Sequence, residues 1–207
     1  MDRAPRPEDV EARPASRRVI VLSLVACGLG LTYALYRGYY ALGGTAGMFG
    51  VPESQDQWRS LNAFAAVGLL VAAAVPVVAL PLWHRRVARP VLLTLFTVAA
   101  VGLVMHGLID ETQRILHLAG LADRLHIDVR LTGLRAVDMR ASDLQDILLN
   151  EPWFLAEGLV CGGIVWSVLR RRAVRRWWLA GAVLATAVCV GFGMLTATGV
   201  IGRTVVF

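Results

Sequence analysis

Five long apolar stretches, separated by polar or basic segments, dominate the pattern of hydrophobic and polar positions along the chain. Each is about 18 to 25 residues long, the length that an α-helix needs to cross roughly 30 Å of hydrocarbon. Apolar runs of this length are typical of membrane spans. The pattern predicts an all-α integral membrane helical bundle with five transmembrane helices, at about 19–40, 61–83, 90–110, 152–169 and 177–201.

The polar segments differ in character. Residues 1–18 are rich in Pro, Arg and acidic residues, which predicts a disordered tail, and 19–207 is predicted to form a single transmembrane helical domain. Residues 111–151 separate the third and fourth spans and contain apolar residues at regular intervals. We therefore predict a partly helical cap over this segment, packed on the bundle.

Three local patterns lie within this predicted cap. Residues 117–128 are amphipathic enough to continue the third helix, and residues 127–133 alternate in polarity before a Thr-Gly turn. Ser142 and Gln145 resemble a capping box, which predicts a short helix that ends at Asn150.

The distribution of arginine predicts the orientation. All 21 basic residues are Arg, and 13 of them lie in the segments 1–18, 84–89 and 170–176, which share one side of a five-span bundle. Basic loops stay in the cytoplasm. We therefore predict a multi-pass protein of the cell inner (plasma) membrane with a cytoplasmic N-terminus, an outside C-terminus and an extracytoplasmic cap.

The composition agrees with a membrane protein, and the positive net charge is therefore interpreted as a topology signal and not as a sign of nucleic-acid binding. The chain is 57% hydrophobic and 17% charged with a mean hydropathy of +0.59, whereas soluble domains are about half apolar and a quarter charged. The net charge of +6 and the pI of about 10.0 follow from basic loops, so we predict the lipid bilayer and no nucleic acid as a partner. The use of Arg without Lys indicates a GC-rich coding bias and favours a bacterial source.

Ionisable residues inside apolar spans are costly and are therefore candidates for function. Arg37, with Tyr40 nearby, lies near the outer end of the first span, and Glu157 lies about a turn and a half inside the fourth. His106 and Asp110 have the i, i+4 spacing that places two side chains on one helix face. All fall in the outer leaflet, which predicts a candidate polar pocket of Arg37, Tyr40, His106, Asp110 and Glu157.

A structural role for these residues stays open. Arg37 could simply extend to the interface, and Glu157 could pair with it to fix the register of two helices. A metal site would use His106, Asp110 and Glu157, but the sequence alone does not bring the two helices together. A haem with two histidine ligands lacks a partner for His106. We predict no metal and no cofactor, and find no redox or zinc spacing among Cys27, Cys161 and Cys189.

Two motifs support the membrane assignment. Residues 39–45 read Tyr-Tyr-Ala-Leu-Gly-Gly-Thr, and residues 150–154 read Asn-Glu-Pro-Trp-Phe and are followed by Gly158. The chain resembles a family of uncharacterised small multi-span bacterial integral membrane proteins, the domain of unknown function 3995 type, over most of its length after the tail. The resemblance implies a helical membrane bundle, but no activity, cofactor or substrate. It carries no catalytic residue over, and the segment 111–151 departs from it in length.

Three classes of function remain open. The first, which the sequence favours, is a non-enzymatic accessory protein that binds a protein partner or a lipid, with a possible homo-oligomer through Gly158 and Gly162. The second is a membrane enzyme with an outward-facing pocket for a lipid or isoprenoid, in which His106 is the general base and Asp110 orients it. The third is a small transporter subunit, which the outer-leaflet charges disfavour because transporter sites lie near the midplane. The sequence does not decide whether the protein is an enzyme.

Overall fold

A computed structural model of the protein describes residues 16–121 and 134–197. The predicted disorder over 1–15, the alternating pattern at 127–133 and the end of the last predicted span at 198–201 lie outside the described residues. The predicted end of the tail at residue 18 is wrong, because Arg17 and Arg18 already belong to the first helix.

The described chain is helical, as the hydropathy pattern predicts. Four of its helices are long and apolar enough to cross a membrane, which is consistent with the predicted multi-pass helical membrane protein. A 3-10 turn, Leu80–Leu82, and a π-helical turn, Asp146–Asn150, accompany the α-helices. The α-helices are α1 (Arg17–Ala41), α2 (Gln55–Val78), α3 (Ala88–Leu118), α4 (Met139–Gln145), α5 (Glu151–Val168) and α6 (Arg172–Ala197).

The four membrane-length helices are α1, α2, α3 and α6. The remaining long helix, α5, has 18 residues and carries two glutamates, Glu151 and Glu157, which lower its mean hydropathy. It is also the helix that lies between α1 and α3, since it contacts both.

Polar side chains mark where the helices begin. Ser16 and Ser54 accept the backbone N–H of the third helical residue of α1 and α2, and Asp138 does the same for α4. The predicted capping box is therefore wrong, because Ser142 lies buried inside α4 and Asp138 is the cap. The predicted stop at Asn150 is also wrong, because the π-helical turn leads directly from α4 into α5.

A small antiparallel sheet was not predicted. Strand β1 (Gly50–Pro52) follows α1, and strand β2 (Leu134–Val137) precedes α4, with Gly50 opposite Val137. Leu134 packs with Tyr40 and Trp58, so the sheet lies against the C-terminal end of α1 and the N-terminal end of α2. The sheet thereby joins the α1–α2 connection to the segment that enters α4.

We name the two ends of the bundle by their contents. The sheet end contains β1, β2, α4, the C-terminal turns of α1 and α3 and the N-terminal turns of α2 and α5. The arginine end contains the connections α2–α3 and α5–α6, with Arg85, Arg86, Arg170 and Arg171.

The apolar core lies towards the arginine end. Ile164 and Val165 of α5 are completely buried there, against Phe96 and Ala100 of α3. Helix α6 packs only on the outside of this core, and none of the residues in its membrane-length window is buried. One side-chain hydrogen bond attaches it to α3, from Trp178 Nε1 to Thr97 Oγ1 at 2.9 Å.

Candidate functional site

One face of α3 carries four ionisable side chains at the sheet end. His106, Asp110 and Arg114 follow one another at i, i+4 spacing, and His117 lies three residues further on. They share a face because α3 continues to Leu118, beyond the membrane-length stretch that hydropathy alone predicts. The side chains opposite this face come from α4, the π-helical turn and the first residue of α5.

Three of the ligand-type side chains at this end converge. The Nε2 atom of His106 is 3.8 Å from Oδ2 of Asp110 and 4.0 Å from Oε2 of Glu151. The three atoms all lie within 4.8 Å of one another. We call His106, Asp110 and Glu151 the triad. Both distances from His106 are longer than a hydrogen bond.

The triad is only partly accessible. Asp110 and Glu151 are buried, whereas 35% of the His106 side chain is exposed. The Oε2 atom of Glu151 is fully enclosed and has no hydrogen-bond partner among the described residues. The imidazole therefore forms the accessible wall of a site whose two carboxylates lie behind it.

A glycine lets α5 approach α3 closely beside the triad. A Cβ atom at Gly107 would lie 2.8 Å from Cγ of Leu155 and 3.1 Å from the backbone oxygen of Glu151. Only a residue without a side chain allows this contact. The ring of Phe154 then packs edge-on against His106, with 4.8 Å between the ring centroids.

A second network of ion pairs and hydrogen bonds lies beside the triad. The guanidinium of Arg114 is 3.1 Å from Oδ1 of Asp143 and 2.8 Å from Oδ2 of Asp146. His117 Nδ1 is 2.6 Å from the other oxygen of Asp143, and Asn150 donates to Asp146 at 2.6 Å. We call these five residues the latch, because they hold α4 and the π-helical turn on α3.

Carboxyl groups outnumber basic groups across the triad and the latch. Four buried carboxylates face one guanidinium and two imidazoles, and the carboxylates are Asp110, Asp143, Asp146 and Glu151. The two terminal nitrogens of Arg114 contact the latch carboxylates. Because a buried carboxylate is costly unless it is paired, a cation beside the triad would stabilise the ionised form of its two carboxyl groups.

Arg37 lies in an aromatic layer that leads towards the triad. It donates to the hydroxyl of Tyr33 at 3.2 Å and to Oδ1 of Asn62 at 3.4 Å. The ring of Tyr33 stacks with Trp153 at 6.2 Å and meets Phe154 edge-on at 5.4 Å. Arg37 is therefore linked to the triad through aromatic rings.

Tyr40 supports the connection that follows α1. Its hydroxyl lies 3.2 Å from the carbonyl oxygen of Ala46 and 3.3 Å from the hydroxyl of Tyr36. Gln145 at the end of α4 hydrogen-bonds the same Tyr36 hydroxyl. These contacts place Tyr40 in the packing of the sheet end, next to Trp58 and the sheet.

Glu157 occupies a different level of the bundle. It lies six residues beyond Glu151 on α5, roughly 9 Å along the helix axis. Its Oε1 atom would be 3.5 Å from a Cβ atom at Gly30, in the middle of α1. Of the predicted pocket, the structure brings His106 and Asp110 together and adds Glu151 as the third group.

Sequence reasoning missed Glu151, although it lies within one of the two motifs. The residue stands directly before Pro152, so it was assigned to the end of the cap. Asp143 and Asp146 were missed as well. Their signal was the spacing of two acids three residues apart, which places both on one helix face towards Arg114.

No family model, curated protein or solved structure matches this chain. The resemblance described above stays a prediction, and the function rests on the geometry of the sheet end.

Proposed function

We propose that this chain is a five-span protein of the bacterial plasma membrane that binds a cationic ligand at its extracytoplasmic face, without catalysing a reaction. Helix α5 is the fifth span. Its 18 residues cover roughly 27 Å, close to the thickness of the hydrocarbon layer. Its contacts with α1 and α3 shield Glu151 and Glu157 from lipid.

The arginine end faces the cytoplasm in this proposal. The connections α2–α3 and α5–α6 are short and basic, and the arginines at the start of α1 share their side. The sheet end then lies outside, with α4 and the sheet as its cap. The same layout is expected for the family that the two motifs resemble.

The observation that carries the binding function is the pair of buried carboxyl groups in the triad, which face a single imidazole. Asp110 and Glu151 are buried next to each other, and the nearest basic group of the triad is an imidazole 3.8 to 4.0 Å away. A protein that needed these residues only for stability would gain more from apolar side chains of similar volume. A bound cation explains why they are there.

The enzymatic alternative has weaker support. A general base is held by a hydrogen bond to its orienting group, and Nε2 of His106 is 3.8 Å from Asp110. The imidazole is also packed edge-on against Phe154.

The topology is tested by labelling single cysteines in a variant that lacks the three native ones. Leu148 is 74% exposed at the sheet end, whereas Val87, 85% exposed, and Ala173 lie at the arginine end. In intact cells we expect a membrane-impermeant maleimide to label Leu148→Cys. Val87→Cys and Ala173→Cys should react only after permeabilisation, and labelling of Ala173→Cys in intact cells would contradict α5 as a span.

The binding function is tested by thermal unfolding in mild detergent with a panel of cations. The panel contains Zn²⁺, Mn²⁺, Ca²⁺, spermidine and tetramethylammonium. A ligand at one hundred times its Kd stabilises the folded state by about 2.7 kcal/mol. We expect at least one cation to raise the Tm of the wild type and not of the Asp110→Asn/Glu151→Gln double variant. A Tm unchanged by every cation would overturn the binding function.

A further inference from the structure

We propose that His106, Asp110 and Glu151 bind one divalent transition-metal ion of the Zn²⁺ or Mn²⁺ class. This inference rests on the cation-binding function proposed above and names the ligand. The donor atoms are Nε2 of His106, Oδ2 of Asp110 and Oε2 of Glu151.

The spacing of the donors fits a metal ion. In a tetrahedral site with bonds of about 2.0 to 2.2 Å, neighbouring ligand atoms lie about 3.4 Å apart. The triad has 3.8 Å and 4.0 Å between His106 and the two carboxylates. A shift of about half an ångström by each side chain would bring the donors to bonding distance. Small changes in the side-chain torsion angles can supply this shift without a change of rotamer.

The unpartnered oxygen of Glu151 is a second and independent observation. The residue is 2% exposed, and Oε2 has no hydrogen-bond donor while it points at His106. The carboxylates of the latch differ, because Asp143 and Asp146 each have partners in Arg114, His117 or Asn150. Among the four buried carboxyl groups of the triad and the latch, a fully enclosed oxygen without a partner is found at Glu151 alone. A metal ion supplies that partner.

The kind of donor selects the class of metal. Ca²⁺ and Mg²⁺ prefer sites made only of oxygen atoms, and Ca²⁺ takes six to eight of them. One imidazole with two carboxylates suits Zn²⁺, Mn²⁺ or Fe²⁺ better. Three protein ligands leave at least one coordination position open, and the exposed edge of His106 places that position towards solvent.

The position of the triad also gives the ion a structural effect. His106 and Asp110 belong to α3, and Glu151 is the first residue of α5. The ion would link the two helices at the point where α5 meets the π-helical turn. It would also neutralise the carboxylates that the latch leaves unpaired.

The test uses the full-length protein in lipid nanodiscs, treated with a chelator and then titrated separately with Zn²⁺ and Mn²⁺ by calorimetry. Elemental analysis after gel filtration counts the ions retained. We expect one ion per chain for the wild type. Loss of a residue that only hydrogen-bonds a metal ligand typically weakens metal affinity by about 10–100-fold. Loss of a ligand itself, in His106→Gln or Glu151→Gln, should therefore weaken it by at least about tenfold.

Glu157→Gln is the matched control, because it removes a carboxylate from the same helix at a different level. Its affinity should stay within about twofold of the wild type, since the carboxylate is not part of the triad. Loading with Co²⁺ gives a direct signal from the ligands. We expect the visible absorption bands of the Co²⁺ protein to shift in His106→Gln and to remain in Glu157→Gln.

Different failures have different meanings. If organic cations raise the Tm but Zn²⁺, Mn²⁺ and Co²⁺ do not bind, the metal is overturned and cation binding stands. If Glu157→Gln abolishes metal binding while Glu151→Gln does not, the ligand set is wrong. If no cation binds, both proposals fail.

Discussion

The contacts between α3 and α5 are apolar at the arginine end and polar at the sheet end. At the arginine end, Ile164 and Val165 are completely buried against Phe96, with apolar groups on both sides. At the sheet end the same two helices face each other through Asp110 and Glu151, which are also buried but do not satisfy each other. The arginine end thus joins the two helices through apolar side chains, whereas the sheet end leaves a buried carboxyl oxygen of Glu151 without a partner.

This difference separates the contacts that stabilise the helix pair from the residues that we propose to bind a ligand. Apolar contact between helices gains little in a lipid environment, so close packing at small residues supplies much of the association. Gly158 lies between the two ends and provides such a contact. The charged sheet end adds a desolvation cost, which is expected of a site kept for binding.

The largest loss of stability at either end is expected from Arg114→Met. The change leaves Asp143 and Asp146 buried without the guanidinium, and loss of one partner of a buried ion pair costs about 3–5 kcal/mol. Hydrogen exchange of the α4 amides should become fast, and the free energy of unfolding in detergent should fall. Arg140→Met, an exposed position on α4, is the control and should change stability by less than about 0.5 kcal/mol.

A smaller loss of stability is expected from Gly158→Ala. A Cβ atom there would lie 2.8 Å from Cγ2 and 3.0 Å from the backbone nitrogen of Val104, so α3 and α5 must move apart. We expect a loss of about 1–3 kcal/mol in unfolding titrations. Gly162→Ala, where the nearest atom is 3.6 Å away, should be nearly neutral. Equal losses in the two variants would mean that Gly158 does not set the helix spacing.

The smallest effect is expected from Thr97→Val at the arginine end. The change removes the acceptor for Trp178 Nε1 and leaves a partly buried N–H without that partner, at a cost of about 1 kcal/mol or less. The fluorescence of Trp178 should also shift as α6 loosens from α3. Thr94→Val, exposed one turn earlier on α3, should leave both properties unchanged. A similar shift in both variants would contradict the proposed role of the hydrogen bond.

The positions of the long helices were predictable because each contains a long apolar stretch that the hydropathy pattern reveals. Within the described residues each predicted span overlaps a long helix, and four of these helices have the length and hydropathy of a membrane span. Helix α3 begins two residues before its predicted span and continues eight residues further, to Leu118. The continuation predicted from residue 117 is therefore found for two residues, and residues 122–128 lie outside the described part of the chain. The sheet was not predictable, since three-residue strands in a polar connection have no periodic pattern.

The candidate site was predicted in part, because the sequence does not show which face of α5 is turned towards α3. His106 and Asp110 are on the same helix, where i, i+4 spacing guarantees a shared face. Glu157 and Glu151 are on α5 about one and two-thirds turns apart, so they point in clearly different directions. The sequence gives the depth of each glutamate but not the direction that faces α3. That direction depends on the close contact at Gly107.

The sheet has a consequence for the order in which the protein assembles. Strand β1 is synthesised before α2, whereas its partner β2 follows roughly 80 residues later, after α3. In the proposed topology, a chain inserted from its N-terminus would hold β1 outside the membrane as an unpaired edge until α3 has crossed. The two strands would then pair late, and their pairing would close the cap only after the first three helices have been inserted.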